Sequence, residues 1–313
     1  MKPPTWLPLL GIRTIVVFPA LFFILSCTTL PMQLTVKSTG DKFPAGTILS
    51  ARTGQAITFD ELLQDLVGVR VVYVGETHSN SDHHAVQTRL IEALSEPHPD
   101  LTVGMEMFDH RYDPVLAQWS AGELDRDAFI KKTHWYVRGS GWGFAFDLYA
   151  PIFDTVHAKG LRLVGLNAPF WIPSKISASG LDNLLPDERQ MLASEIDTGN
   201  EDHRAYVEVV FNNTPHHHIK SFDNFYEAQC TWEDTMAESI ARKQAAGPMV
   251  VVIGNGHIQN KYGVRDRAYH RNQACFRTIY LAAVGSEVDL DVADFIWVTP
   301  LPTCSPPPRG QGF

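Results

Sequence analysis

Apolar positions in this chain fall into short unbroken runs separated by amphipathic stretches. Residues 69–74, 101–105, 161–166 and 249–253 are such runs, rich in Val, Leu and Ile, and each predicts a strand buried on both faces. Between them, apolar residues recur at helical spacing. Thr58 is placed to cap a helix presenting Phe59, Leu62, Leu63 and Leu66, and Ser81 or Asp82 to cap one presenting Ala85, Val86, Leu90, Ile91 and Leu94 that stops near Pro97. A long amphipathic helix is predicted from Phe222 through Trp232, Met236, Ala237, Ile240 and Ala241. This alternation predicts an α/β fold, a mostly parallel sheet with helices on both faces.

Two stretches break the rhythm. Residues 109–147 are rich in aromatic residues and glycine and predict one helix and a long loop. Residues from about 173 to 220 carry helical patterns without strands and predict a small inserted helical lobe.

The chain begins with Lys2 and Arg13 ahead of or beside an uncharged apolar run, residues 15–25, too short to span a bilayer comfortably. It closes on Ile24-Leu25-Ser26-Cys27, which resembles a bacterial lipobox. The expectation is a signal peptide over 1–26, acylation of Cys27, and a lipid-anchored protein of the cell envelope. Thr28 after the Cys leans toward the outer membrane, facing the periplasm. A tether and lead-in segment is expected over 27–50, the α/β domain over 51–300, and a disordered Pro/Gly-rich tail over 301–313.

Composition removes one class of partner. The net charge is −9, the leader would take two basic residues with it, and no Lys/Arg cluster interrupts the acidity, so nucleic acid is excluded. Beyond Cys27 remain Cys230, Cys275 and Cys304, an odd number whose pairing the sequence leaves open.

The chemistry gathers at the strand ends. The four predicted strands stop at or just before His78, Glu106, Asn167 and His257, and open α/β sheets place ligands at that edge. Gly-x-x-His occurs in two of these turns, Gly75-Glu76-Thr77-His78 and Gly254-Asn255-Gly256-His257. His78, His257, Glu76 and Glu106 together offer two imidazoles and two carboxylates. Such a set suits a divalent ion such as Mn, Co or Zn in a metal-dependent hydrolase, or Glu76 or Glu106 as a metal-free general base. His217 and His218 offer further imidazoles for a metal or a porphyrin propionate. Tyr262, five residues past His257, is a candidate hard oxygen ligand for ferric haem, and Tyr226 is its competitor.

An ordered set of motifs carries a resemblance. Gly75-Glu76-Thr77-His78 with His83, Glu106-Met107-Phe108, Leu166-Asn167-Ala168-Pro169, the stretch from Ala228 to Ala237, and Gly254-Asn255-Gly256-His257 are similar to the ChaN family of haem-binding lipoproteins, over roughly residues 55–285. The resemblance implies haem held between two subunits, with stacked porphyrins, iron bound by tyrosine and a role in haem or iron uptake. His78, His257, His217 and His218 would then contact propionates or support the site, in a homodimer when loaded. The wider superfamily includes Tiki-type proteases and erythromycin-esterase-like enzymes, which keeps the hydrolase alternative open.

Overall fold

The computed structural model describes residues 32–137, 141–213, 219, 221–244 and 247–302. Its strands are β1 (Leu34–Val36), β2 (Lys42–Phe43), β3 (Ile48–Ser50), β4 (Ala56–Ile57), β5 (Val71–Glu76), β6 (Thr102–Asp109), β7 (Arg162–Asn167), β8 (Met249–Gly254), β9 (Phe276–Ala283), β10 (Glu287–Val288) and β11 (Phe295–Thr299). Eight of them form one sheet in the order β4-β3-β11-β9-β5-β8-β6-β7. The six strands from β11 to β7 run parallel, and the β3–β4 hairpin adds an antiparallel edge. A second sheet, β10-β1-β2, lies apart from this ladder.

The four strands predicted from apolar runs are β5, β6, β7 and β8, which lie side by side. The helices are α1 (Phe59–Leu66), α2 (Ser81–Ser95), α3 (Asp113–Ser120), α4 (Arg126–Lys132), α5 (Phe146–Lys159), α6 (Trp171–Ser179), α7 (Pro186–Arg189), α8 (Glu201–Asn213), α9 (Phe222–Lys243) and α10 (Val264–Asn272). One sheet face, through Val72, Val74, Val103 and Val250, packs on α1, α2 and α5. The other, through Val71, Tyr73, Val251 and Ile253, packs on Met236, Ala237 and Ile240 of α9 and Val264 and Ala268 of α10. Covering both faces is why these strands read as continuous apolar runs rather than alternating ones.

Local signals act as expected at α1, where Thr58 and Glu61 form a reciprocal capping box. At α2 the cap is Asn80, whose Oδ1 accepts from Asp82 N at 3.0 Å, one residue before the predicted Ser81. The helical lobe is present as α6, α7 and α8, packed against α9 through Ile172, Ile176, Val207 and Tyr226.

Two expectations are revised. Residues 34–50 are not only a tether and lead-in: Leu34, Val36 and Leu49 are buried with Val288, Ile296 and Val298. The stretch 109–147 holds two helices, α3 and α4, and the start of α5, because Phe129, Trp135 and Phe146 have the core around Phe108 and Phe153 to fill. Cys27, His217, His218 and Cys304 lie outside the described residues. Cys230 is buried and Cys275 exposed, and among the described residues neither is in a disulfide.

The β7 edge of the sheet is closed by side chains. Ser120 Oγ accepts from Leu163 N at 3.1 Å and Asp113 Oδ1 from Gly165 N at 3.0 Å, while Lys243 Nζ donates to Gly165 O at 2.7 Å.

Because Leu34 is fully buried, Leu34→Ala is expected to cost about 2–4 kcal/mol in urea unfolding, as core truncations do. A midpoint equal to wild type would return residues 34–50 to the status of a tether.

Candidate functional site

The site grows from the carboxyl ends of β5, β8 and β6. Both signature glycines are spacers there. A Cβ at Gly75 would run into the Asn255 side chain and reach 2.9 Å from Ile258 Cδ1, and one at Gly254 would lie 3.0 Å from His78 Cε1 and 3.5 Å from Glu106 Oε2. Without side chains at these positions the two Gly-x-x-His turns close against each other. Asn255 then fastens the second turn to the sheet, donating Nδ2 to Leu281 O at 2.8 Å.

Two carboxylate–imidazole clusters result. In the first, buried Glu76 takes 2.7 Å hydrogen bonds at Oε1 from Tyr149 OH and from His78 Nδ1, and its Oε2 pairs with His84 Nε2 at 2.9 Å. Burial alone would raise the Glu76 pKa, but the bonds from His78 and His84 outweigh it and hold it at about 2. Burial pulls His78 downward, and the carboxylates of Glu76 and Glu106 overcome this and raise it. The His78 ring lies 4.7 Å from Trp142 and 5.3 Å from Phe144, and Phe170 continues the aromatic wall 5.8 Å from Trp142. His83 serves the turn instead, its Nδ1 accepting from Thr77 N at 2.9 Å.

The second cluster centres on His257. Its Nε2 lies 3.4 Å from Glu106 Oε1 and its Nδ1 3.3 Å from Glu233 Oε1. Glu106 is anchored by Gly254 N at 2.6 Å, and Asn167 Nδ2 holds the Glu106 carbonyl at 2.9 Å. Glu233 accepts from Gln229 at 2.9 Å and pairs with His203 at 3.1 Å and Arg267 at 3.4 Å. Burial disfavours an imidazolium at His257, yet the two carboxylates prevail and raise its pKa to about 10. Glu233, for its part, is held well below the usual carboxylate range: burial opposes this, and bonds from His203 and His257 dominate.

The predicted strand-end residues therefore converge, as imidazoles paired with acids. His78, His257, Glu76 and Glu106, from which the sequence reading drew a metal set, lie in the two clusters as imidazole–carboxylate pairs. Among the described residues no group of three or more His, Cys, Asp or Glu side chains is arranged to hold a metal ion. His257 has both nitrogens facing carboxylates, and Glu76 lies between His78, Tyr149 and His84.

His78 and His257 open into a cavity of about 400 Å³, walled by Tyr206, Val207, Val210 and Phe225. Tyr262 lines a neighbouring hollow of about 540 Å³, with Asp202 and Asn260, and Tyr206 stands between the two. Tyr226 lines neither hollow: it is fully buried, and its OH donates to Asn200 O at 3.0 Å. Sequence reasoning missed Tyr206, Tyr149 and Glu233. Only Glu233 left a signal, as an acid inside the apolar stripe of α9 beside Met236 and Ala237.

Stability should follow pH on both sides of a plateau. His257 rises from 6.5 to about 10 on folding, so its contribution is complete below about pH 6.5 and is lost as pH climbs through about 10. Glu76 falls from 4.5 to about 2, so its contribution is complete above about pH 4.5 and is lost as pH drops through about 2. Glu233→Gln should flatten the alkaline limb and lower the His257 titration seen by NMR. A wild-type His257 titrating near its ordinary value would refute the clamp.

Comparison with known proteins agrees with this architecture. Residues 62–268 match the family described as haem-binding uptake, Tiki superfamily, ChaN. Among solved structures, the one described as cofacial haem binding to ChaN of Campylobacter jejuni aligns with a TM-score of 0.64 at 16% identity, over 80% of this chain and 95% of that one. The erythromycin esterase EreC in an open conformation aligns at 0.46 with 13% identity, over 76% of this chain and 77% of that one. The type III effector HopBA1 aligns at 0.44 with 13% identity, over 77% and 92%. No curated protein matches the chain by sequence. The match spans well over half of the chain and contains both histidine turns, so this protein belongs to the haem-binding uptake, Tiki superfamily, ChaN family.

Proposed function

We propose that this protein binds haem at the cavity over the carboxyl rim of the sheet and serves haem or iron uptake. The observation that carries the reading is the pairing of an apolar, tyrosine-bearing wall with the His78 and His257 imidazoles in one hollow. Val207, Val210 and Phe225 offer apolar surface suited to a macrocycle. His78, with its side chain 31% exposed and its pKa raised by Glu76 and Glu106, offers an imidazole to a propionate, while His257, held between Glu106 and Glu233, supports the site.

Haem would bring ferric iron, for which a phenolate oxygen is a suitable hard ligand. Tyr206 is the tyrosine best placed to supply it, since it borders both hollows. Burial raises the Tyr206 pKa, while the hydrogen bond from Gln259 Nε2 works in the opposite direction and favours the phenolate. Tyr262, bordering one hollow, is the second candidate.

The same reading takes up the finer expectations. Val209 and Val210 stand exposed on α8 beside Tyr206, the kind of apolar surface a second haem-bearing copy would cover. A cofacial homodimer formed on loading fits that surface. Acylation at Cys27 would hold the protein in the bacterial envelope, at the outer membrane facing the periplasm.

Purified protein mixed with hemin is expected to give a Soret band of tyrosinate type. Tyr206→Phe should weaken hemin affinity by at least about tenfold, equivalent to ~1.4 kcal/mol. Tyr262→Phe serves as the comparison: the larger loss identifies the ligand. Wild-type protein that gives no band would overturn the haem reading, and stoichiometric Mn, Co or Zn retained by chelator-free protein would restore the hydrolase.

A further inference from the structure

Met32, the first described residue, stands at the same edge of the sheet as the histidine turns. Leu34 is fully buried with Val288, Ile296 and Val298, which fixes the chain just ahead of it. Gln33 O accepts from Gly285 N at 3.0 Å, and Thr35 N donates to Ser286 O at 3.0 Å. Gly285 and Ser286 belong to the turn that leaves the carboxyl end of β9, which runs parallel to β5. Gly285, with φ at +86°, has no Cβ to push Met32 away; one built there would lie 2.5 Å from Met32 Cε.

The carboxyl end of β11 closes the other side of this turn. Val284 N donates to Thr299 O at 2.9 Å, and Leu301 follows two residues on. Met32 is 52% exposed and Leu301 48%, so two large apolar side chains stand open on one flank of the rim. Charges beside them are mixed in sign: Thr35 lies in register between Glu287 on β10 and Lys42 on β2, and Lys37 pairs with Asp289 at 2.9 Å. The flank adjoins the first histidine turn, since Thr77, Asn80 and His83 line a cavity of about 280 Å³ with Ser286 and Pro302. His83 Nε2 also lies 3.1 Å from Thr299 Oγ1.

Chain length sets which edge an anchor can bring to a membrane. Only residues 28–31 separate Cys27 from Met32. Five steps of extended backbone span at most ~18 Å, whereas a domain of this size is on the order of 50 Å across. The opposite edge, where Val67 is 76% exposed and Gly68 O accepts from Cys275 Sγ ahead of β9, is out of that reach. Resting on the acylation of Cys27 proposed above, we infer that the flank formed by Met32, the Gly285 turn and Leu301 lies against a lipid surface, with the histidine turns next to the bilayer. The two apolar side chains would enter the headgroup layer and add to the hold of the acyl chains. A flank of mixed charge neither requires nor repels anionic lipid.

The test uses the full chain, extracted with its lipid and reconstituted in phosphatidylethanolamine–phosphatidylglycerol vesicles. It carries Cys275→Ser and Cys304→Ser, and a thiol-reactive fluorophore at either Leu301→Cys or Val67→Cys. A nitroxide attached to the lipid headgroup should quench the label at 301 several-fold more than the label at 67. Met32→Asp, which puts a charge in place of an apolar side chain, should weaken the quenching at 301. Equal quenching at the two positions, or quenching at 301 indifferent to Met32→Asp, would overturn the proposal. Mass spectrometry keeps the two readings apart. An unmodified Cys27 removes the anchor and this orientation with it, whereas an acylated Cys27 with equal quenching removes the orientation alone.

Discussion

The imidazolium of His257, held between Glu106 and Glu233, is the interaction on which the rest of the rim depends. It binds the turn after β8 to a carboxylate from β6 and another from α9, so three elements meet through one charge. Removing either acid would leave a buried charge short of a partner, a loss on the order of several kcal/mol. The same acid passes the constraint outward. Glu233 also holds His203 of α8 and Arg267 of α10, while Asp234 beside it pairs with Arg267 and Arg271, and Arg267 reaches the lobe through Asp197 O at 3.0 Å. The position of the lobe, and with it the Tyr206 wall, is thus referenced to the rim.

What the sequence made legible follows from how strongly each element is buried. The central strands β5, β6, β7 and β8 are covered on both faces, so their composition is nearly pure Val, Leu, Ile and Met, with the odd aromatic and glycine, and they announce themselves. The strand β9 carries Arg277, Thr278 and Tyr280 with one side half-exposed, which blurs its apolar signal. The strands between residues 34 and 57 are two or three residues long and interrupted by turns, too short for periodicity to register. The convergence of His78, Glu106 and His257 was readable because strand ends are fixed by topology. The partners from helices, Glu233, Tyr149, Tyr206 and His203, were not, because a helix residue reaches the rim only through its rotation and tilt.

Histidines paired with acids can serve more than one chemistry. Histidines beside acids suggest a metal when only letters are visible. In the coordinates His78 Nδ1 lies 2.7 Å from Glu76 and both nitrogens of His257 face carboxylates, which favours the protonated rings. The rim is thereby a fixed field of paired charges, with the outer edge of His78 turned to the cavity and backed by Trp142 and Phe144.

The side chains that occupy the flank of β7 limit how copies of this protein join. Ser120 and Asp113 take up two of the amides that a neighbouring ladder would otherwise recruit, and Lys243 takes up a carbonyl. Lateral continuation of the β-structure from one molecule to the next is blocked on that flank.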